Sequence, residues 1–353
     1  MGTFILRKGW HALSVLLGVI AIVFFMFFVV LPADPARLTM GQRGDARSLE
    51  AIRKEFYLDR PVWQQFILYL NDLSPLSVYE SNDELQEKYH ALPLFHLNNN
   101  NVLVWKAPYL RRSFQTKKEV LDMLTDSFPG TFILATLAMA IASVLGILLG
   151  ILAAVRQHTW LDRSALFISI SGISAPSFFA GILMAWIFGF LLKPYTGLSI
   201  ISPMWDFEPY ETPRFLWKSL ILPVCTLAIR PMAIIVQITR SALLDVLSQD
   251  YIRTAKAKGL SRARIIWKHA LRNALNPVIT SISGWFAELL AGSFFIEYIF
   301  GWKGLGKITV DALNKFDFPV VMGSVLFTSL IFIIMNILVD VLYRAVDPRI
   351  QER

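Results

Sequence analysis

The chain has 353 residues, 55% hydrophobic and 17% charged, with a mean hydropathy of +0.52 and a net charge of +8. Soluble domains run at about 45–50% apolar and about 25% charged, and their cores do not need apolar blocks of about 20 residues. A soluble enzyme, a secreted disulfide scaffold and a disordered protein are therefore excluded, and the single cysteine, Cys225, forms no intrachain disulfide.

The first predicted element is a membrane span at Trp10–Leu31, preceded by Arg7-Lys8 and closed by Pro32. Its apolar run exceeds the roughly 7–15 residues of a signal-peptide core, and no A-x-A site follows, so it reads as a retained helix. A long external segment, 32–127, comes next. Within it Ser48–Leu73 has helical periodicity, with Leu49, Ile52 and Phe56 on one face and Trp63, Phe66, Ile67 and Leu70 following. Residues 74–118 are polar, with the run Asn98–Asn101, and read either as a loosely ordered loop or as a surface that docks a partner outside the membrane.

Five more spans are predicted at Phe128–Val155, Ala165–Leu192, Leu216–Ile238, Pro277–Ile299 and Val320–Tyr343. The expected fold is an all-α membrane protein with six transmembrane helices. Its parts are residues 1–31 (N-terminal segment and first helix), 32–127 (external, with an insertion at about 74–118) and 128–353 (a five-helix core containing loop 239–275). An even number of spans puts both termini on one side, together with loops 156–163 and 239–275. That side carries 15 Lys/Arg against 5 Asp/Glu, which places it in the cytoplasm by the positive-inside rule.

Catalytic, cofactor-binding and metal-binding signatures are not found. Gly301–Ile308 nearly matches a phosphate-cradling loop, but Ile308 stands where Ser or Thr would hold Mg²⁺, and the segment follows a membrane span rather than a strand. H-E-x-x-H and G-x-S-x-G are absent, and His90 and His96 lie alone in the external segment. The basic cluster of loop 239–275 is tethered between two spans, which argues against nucleic-acid binding.

That loop reads as two short helices. The first runs from about Leu243 to Lys258, and Gly259 supplies the left-handed residue that ends it. Ser261 is a plausible N-cap for the second, which runs to about Leu275, with Asn276 and Pro277 opening the fifth span. In the second helix Ile265, Ile266, Ala270, Leu271, Ala274 and Leu275 oppose Arg264, Lys268 and Arg272. The small residues Ala255 and Ala257 just before the turn allow close approach of another surface. Physics alone leaves two readings: a basic amphipathic loop on anionic lipid, or a rigid docking element for a cytoplasmic partner.

Two charges fall inside predicted spans. Arg230 lies ten residues before Arg240, and Glu288 eleven after Pro277. At about 1.5 Å per residue both sit roughly 15 Å from the cytoplasmic end, near the middle of a hydrocarbon core about 30 Å thick. Ionised residues there need a partner or water, so they either pair with each other or line a solute pathway.

The run Asp250–Leu260 (DYIRTAKAKGL) resembles the coupling loop of ABC importer permeases, and in particular the B-type permease of the dipeptide/oligopeptide/nickel family. Ser174–Gly181, Ile296–Gly306, and Asn336–Asp340 with Asp347-Pro348-Arg349 resemble further patterns of that family, and the likeness covers about four-fifths of the chain. Lys303, Asn276-Pro277 and the insertion at 74–118 depart from it. The resemblance implies a type I importer fold and a permease subunit in the bacterial inner membrane that is not itself an enzyme and holds no cofactor. It also implies a second, homologous permease, two cytoplasmic ATPases, and a periplasmic or lipid-anchored binding protein that delivers a peptide-like solute. Arg253, Ala255, Ala257, Gly259, Leu260 and Arg262 would then meet the ATPase. The alternative is a secondary transporter or channel working without ATPase partners, which often shows inverted repeats and paired broken helices. Neither is legible in the sequence.

Overall fold

The computed structural model describes residues 2–30, 49–50, 53–54, 56–80, 89–97, 101–201, 205–206 and 214–346. In chain order these form α1 (Gly2–Phe25, prolonged as π-helix through Val30), α2 (Val62–Leu73), β1 (Leu76–Glu80), β2 (Leu92–His96), β3 (Asn101–Trp105) and α3 (Val120–Val155). Next come α4 (Trp160–Ser174), α5 (Ser177–Met184, continuing as π-helix to Leu191), α6 (Lys193–Thr196), the short pair β4 (Trp205–Asp206) and β5 (Arg214–Phe215), and α7 (Trp217–Leu247). The remainder is α8 (Asp250–Ala257), α9 (Arg262–Arg264, continuing as π-helix through Ala270), α10 (Leu271–Ala291), α11 (Phe294–Ile299), α12 (Leu305–Asn314) and α13 (Phe318–Val346).

Among the described residues four helices are long and apolar enough to cross a membrane: Lys8–Val30, Val120–Val155, Trp217–Leu247 and Phe318–Val341. These carry the first, second, fourth and sixth expected spans. The third, Ala165–Leu192, is not one rod: α4 and α5 meet at a bend of 106°. The break falls at Ala175-Pro176, where Ala175 is extended (ψ 127°) because a proline disfavours the helical state in the residue before it.

The fifth expected span, Pro277–Ile299, is corrected at both ends. Its helix, α10, begins at Leu271 and passes through Asn276 and Pro277 without a cap, because the π-helical turn before it delivers the chain already wound. It stops at Ala291, since Gly292 has φ +144°, a state open to glycine and strained for other residues. Leu31, Pro32, Ile52, Asn98–Asn100 and Asp347-Pro348-Arg349, which figure in the sequence reading, lie outside the described residues.

The described chain divides into two compact units, Met1–Asp126 with Ile308–Leu330, and Ser127–Lys307 with Ile331–Arg353. In the first unit Phe24, Tyr69, Met322 and Leu326 form a buried cluster that joins α1, α2 and the start of α13. The expectation of a loose loop at 74–118 is overturned here by an antiparallel sheet in the order β1-β3-β2, with Leu76 and Leu92 both opposite Trp105. Val102 and Val104 turn inward onto Ala91, Tyr79 and Tyr89, while Leu76, Val78, Leu92, Phe95 and Trp105 face outward. This period-2 pattern (Leu-Ser-Val-Tyr-Glu and Asn-Val-Leu-Val-Trp) is a strand signal held within five residues each, short enough to be lost among polar neighbours.

Beside the sheet lies a buried charge cluster. Asp72 accepts hydrogen bonds from the hydroxyls of Tyr57 (3.3 Å) and Tyr79 (3.1 Å) and sits 3.5 Å from the guanidinium of Arg111. Arg111, only 4% exposed, stacks 4.3 Å from the Phe56 ring centre. The Lys106 ammonium donates to the backbone carbonyl of Asp72 and faces the rings of Tyr79 and Tyr89. Burial lowers the Lys106 pKa to about 8 against the opposing pull of Asp72, and burial together with the Asp72 charge raises Tyr57 to about 12.

The second unit has its core where α3, α7, α10 and α11 meet, around Leu134, Ala138, Ile235, Leu290, Ile296 and the fully buried Trp302.

Candidate functional site

The candidates of loop 239–275 sit on a packed platform. Ile252, fully buried, and Ala255 join Leu243, Ile265, Ile266, Ala270 and Ala274 in one apolar cluster with Ile151 and Ala154 of α3. The first expected helix is split: α7 ends at Leu247, and α8 starts at Asp250 after Ser248-Gln249. Gly259 has the expected left-handed backbone, φ +72°, and a side chain there would meet nothing within 4 Å. Ser261 occupies the N-cap position without a capping hydrogen bond from its side chain.

Arg253, Ala257, Gly259 and Arg262 are exposed and Leu260 is half-buried, so five of the six candidates share one accessible stretch. Ala255 is buried and packs the loop's interior. The Arg262 guanidinium donates to the carbonyl of Val155 at the end of α3 (2.9 Å), and the Asn273 amide donates to the Tyr251 hydroxyl (2.8 Å).

A second fastening was not read from the sequence. Arg240 holds Asp162 by two parallel bonds of 2.5 and 2.9 Å, and Asp162 also accepts from the backbone N–H of His158 (2.9 Å). This bidentate pair ties the first turn of α4 to α7 at the point where the loop leaves the predicted membrane span. Its two members are 78 residues apart, so no local spacing could announce it.

Arg230 and Glu288 line a common cavity of about 270 Å³. It is bounded by the α4–α5 break (Ala175, Ser177), by α7 (Thr226, Arg230), by α10 (Trp285, Glu288) and by the break after α10 (Gly292–Ile296). Both side chains are exposed, and among the described residues no ion pair joins them. The Arg230 guanidinium lies instead 5.2 Å from the centre of the Trp285 ring, a cation–π distance. The cavity thus has two interrupted helices in its wall, and irregular backbone at membrane depth is tolerated where it lines such a space.

The wall is fixed in turn by Glu297, which is 0% exposed. One carboxylate oxygen accepts from the hydroxyls of Thr131 (2.8 Å) and Ser293 (2.9 Å), the other from the backbone N–H groups of Gly306 (2.7 Å) and Lys307 (3.2 Å). Thr131 also accepts the N–H of Leu305 (2.8 Å), and the Trp302 indole donates to the carbonyl of Gly130 (3.0 Å). The start of α12, where a phosphate-binding loop would present its N–H groups to an anion, is therefore filled by a carboxylate of the same chain. The near-match at 301–308 is a folded turn. Glu297 lies within the segment Ile296–Gly306, but sequence alone gives it no role, since that depends on what the turn folds onto.

Two family models match the chain: the binding-protein-dependent transport system inner membrane component over residues 146–352, and the N-terminal part of such membrane components over residues 1–135. The dipeptide transport system permease protein DppB of Bacillus subtilis (strain 168) is 36% identical over 352 residues, covering 99% of this chain and 98% of that protein. The glutathione transport system permease protein GsiC of Escherichia coli (strain K12) is 33% identical over 335 residues, covering 95% and 94%. Among solved structures, the inward-facing MetNI methionine ABC transporter is similar at 17% identity with a TM-score of 0.49, over 64% of this chain and 97% of the matched one. Matched along nearly its whole length, this chain belongs to the binding-protein-dependent transport system inner membrane components, and it is a permease subunit of an ABC importer.

Proposed function

We propose that this permease forms half of a membrane pathway for a peptide-like solute, with six passes, the third and fifth of them broken, and with both termini in the cytoplasm. A homologous permease completes the pathway. Two cytoplasmic ATPases supply ATP hydrolysis, and a periplasmic or lipid-anchored binding protein delivers the solute to the outer face in the bacterial inner membrane. The exposed stretch Arg253, Ala257, Gly259, Leu260 and Arg262 seats in the ATPase, while Ala255 holds it rigid from within. Closure of the ATPases is then transmitted through α8 and the Arg240–Asp162 fastening to α7, shifting the balance between two packings of the spans.

The observation that carries this reading is the coupling loop itself: small exposed residues around a left-handed glycine, mounted on a buried apolar cluster. Arg230 and Glu288 are assigned to the pathway, because both are exposed at one cavity and unpaired with each other. The test is to purify the tagged chain from its host membrane and reconstitute it. Copurification of ATPase subunits and solute uptake only with ATP is expected, whereas uptake by this chain alone, driven by an ion gradient, would establish a secondary transporter instead.

A further inference from the structure

The cavity shared by Arg230 and Glu288 has a chemistry that the family assignment does not specify. A cation and an anion face one space of about 270 Å³ without closing on each other. Arg230 is held back over Trp285, and Glu288 stands one turn along α10 from that ring, on the same face. Left in hydrocarbon, each charge would be costly. Collapsed onto each other, they would need no cavity between them. The volume is just under the roughly 300 Å³ at which sites for drug-sized ligands begin, so it suits the charged end groups of a small solute. The rest of its lining is mainly apolar, apart from the hydroxyls of Ser177, Thr226 and Ser293. Thr226 already donates to the carbonyl of Leu222, and Ser293 to Glu297.

We propose that this cavity is a solute-binding site selective for zwitterions, with Arg230 receiving a carboxylate and Glu288 an ammonium group. The inference rests on the assignment of both residues to the pathway. A zwitterion answers both charges at once and brings no net charge into the membrane, whereas a solute with one end capped leaves one of the two charges unanswered at membrane depth. Trp285 keeps the guanidinium from reaching Glu288 when the site is empty and gives the bound carboxylate a pre-oriented partner.

The test uses the assembled importer with Cys225→Ala, which removes the only thiol of this chain, combined with Arg230→Cys or with Glu288→Cys, and label is read on the isolated band of this chain. Each thiol is labelled with a cationic and with an anionic thiosulfonate, in the presence or absence of dialanine, N-acetyl-dialanine and dialanine amide. The Arg230→Cys thiol, facing Glu288, is expected to react about tenfold faster with the cationic reagent, and the Glu288→Cys thiol about tenfold faster with the anionic one. Dialanine slows both reactions, and capping either of its ends weakens the protection. Labelling of both thiols without charge preference or dialanine protection overturns the zwitterion site and leaves the pathway assignment standing. Absence of labelling by either aqueous reagent overturns both, as does labelling that disappears only when the second permease is present. Where a cysteine variant fails to copurify with its partners, uptake decides. Arg230→Lys and Glu288→Asp should retain dialanine uptake, and Arg230→Gln and Glu288→Gln should lose roughly tenfold or more. Equal uptake by the two sets refutes the site.

Discussion

Removing the carboxylate at Glu297 has a calculable cost. In Glu297→Ala the hydroxyls of Thr131 and Ser293 are free to turn to other acceptors, but the N–H groups of Gly306 (buried) and Lys307 (partly buried) are fixed in the backbone beside the void. Two stranded donors at about 1–3 kcal/mol each give roughly 2–6 kcal/mol, before any cavity cost is added. In Glu297→Gln the amide oxygen keeps facing those N–H groups, and its NH₂ donates to the hydroxyl oxygens. Only the charge assistance is lost, about half the strength of each bond, and it is partly offset because a neutral group is easier to bury. The expected order of stability is wild type, then Gln within about 2 kcal/mol, then Ala well below. For a unit of this size 1 kcal/mol moves the melting point by roughly 2–4 °C, so Ala should melt at least about 4 °C lower. The assay is thermal unfolding of the reconstituted complex followed by Trp302 fluorescence, with the other tryptophans replaced. An Ala variant within about 2 °C of wild type, or a Gln variant as unstable as Ala, would refute the clasp.

Gly259→Val places a β-branched residue at φ +72°, which strains the backbone by about 1–2 kcal/mol although its Cβ has no neighbouring atom within 4 Å. The permease should still assemble with its ATPases but lose solute-stimulated ATP hydrolysis, and normal stimulation would show that the turn does not transmit. Asp162→Ala leaves the largely buried guanidinium of Arg240 without its partner, at roughly 3 kcal/mol by analogy with broken buried pairs. ATPase activity uncoupled from uptake is expected, and wild-type coupling would remove the fastening from the transmission route. The depressed Lys106 pKa gives a pH signature: below about 8 the ammonium is charged in folded and unfolded chains alike, and its burial cost is present in full. Between about 8 and the ordinary 10.5 the unfolded chain binds the extra proton, so stability rises with pH. Above pH 10 the raised pKa of Tyr57 acts in the opposite sense, since unfolded tyrosine ionises first. Melting points recorded from pH 7 to 10 should climb in wild type and stay flat in Lys106→Met, and parallel curves would contradict the assignment.

Much of the architecture is legible in hydropathy, because a span must be apolar over about 20 residues whatever its surroundings. Its interruptions are less legible. Ala175-Pro176 carried a break signal, yet prolines at 223, 231 and 277 lie inside helices of the same chain, so proline alone does not separate a break from a continuous span. Gly292 breaks α10 at φ +144°, while Gly284 sits within it in the helical state, a difference that the glycines themselves do not announce. In loop 239–275 the glycine turn is readable because it depends on one residue's backbone. The inward direction of Ala255 is not, since it depends on Ile151 and Ala154 of a distant helix. Arg230 and Glu288 stand out by depth and sign, quantities a sequence does carry, but the tryptophan that lies beside Arg230 is visible only in the structure.

The first unit is closed by chain that is made late. Asp317 accepts the hydroxyl of Ser113 at 2.5 Å and the N–H of Phe114 at 3.1 Å, across a separation of 204 residues in the first case, and Met322 and Leu326 complete the cluster around Tyr69. At a translation rate of about 5–20 residues per second, roughly 10–40 s pass between emergence of the two halves. Throughout that interval the cluster around Tyr69 lacks Met322 and Leu326, and Ser113 and Phe114 lack Asp317. A ribosome stalled before Asp317 should therefore leave a nascent chain that is more protease-sensitive around Tyr69 and Ser113 than the finished chain.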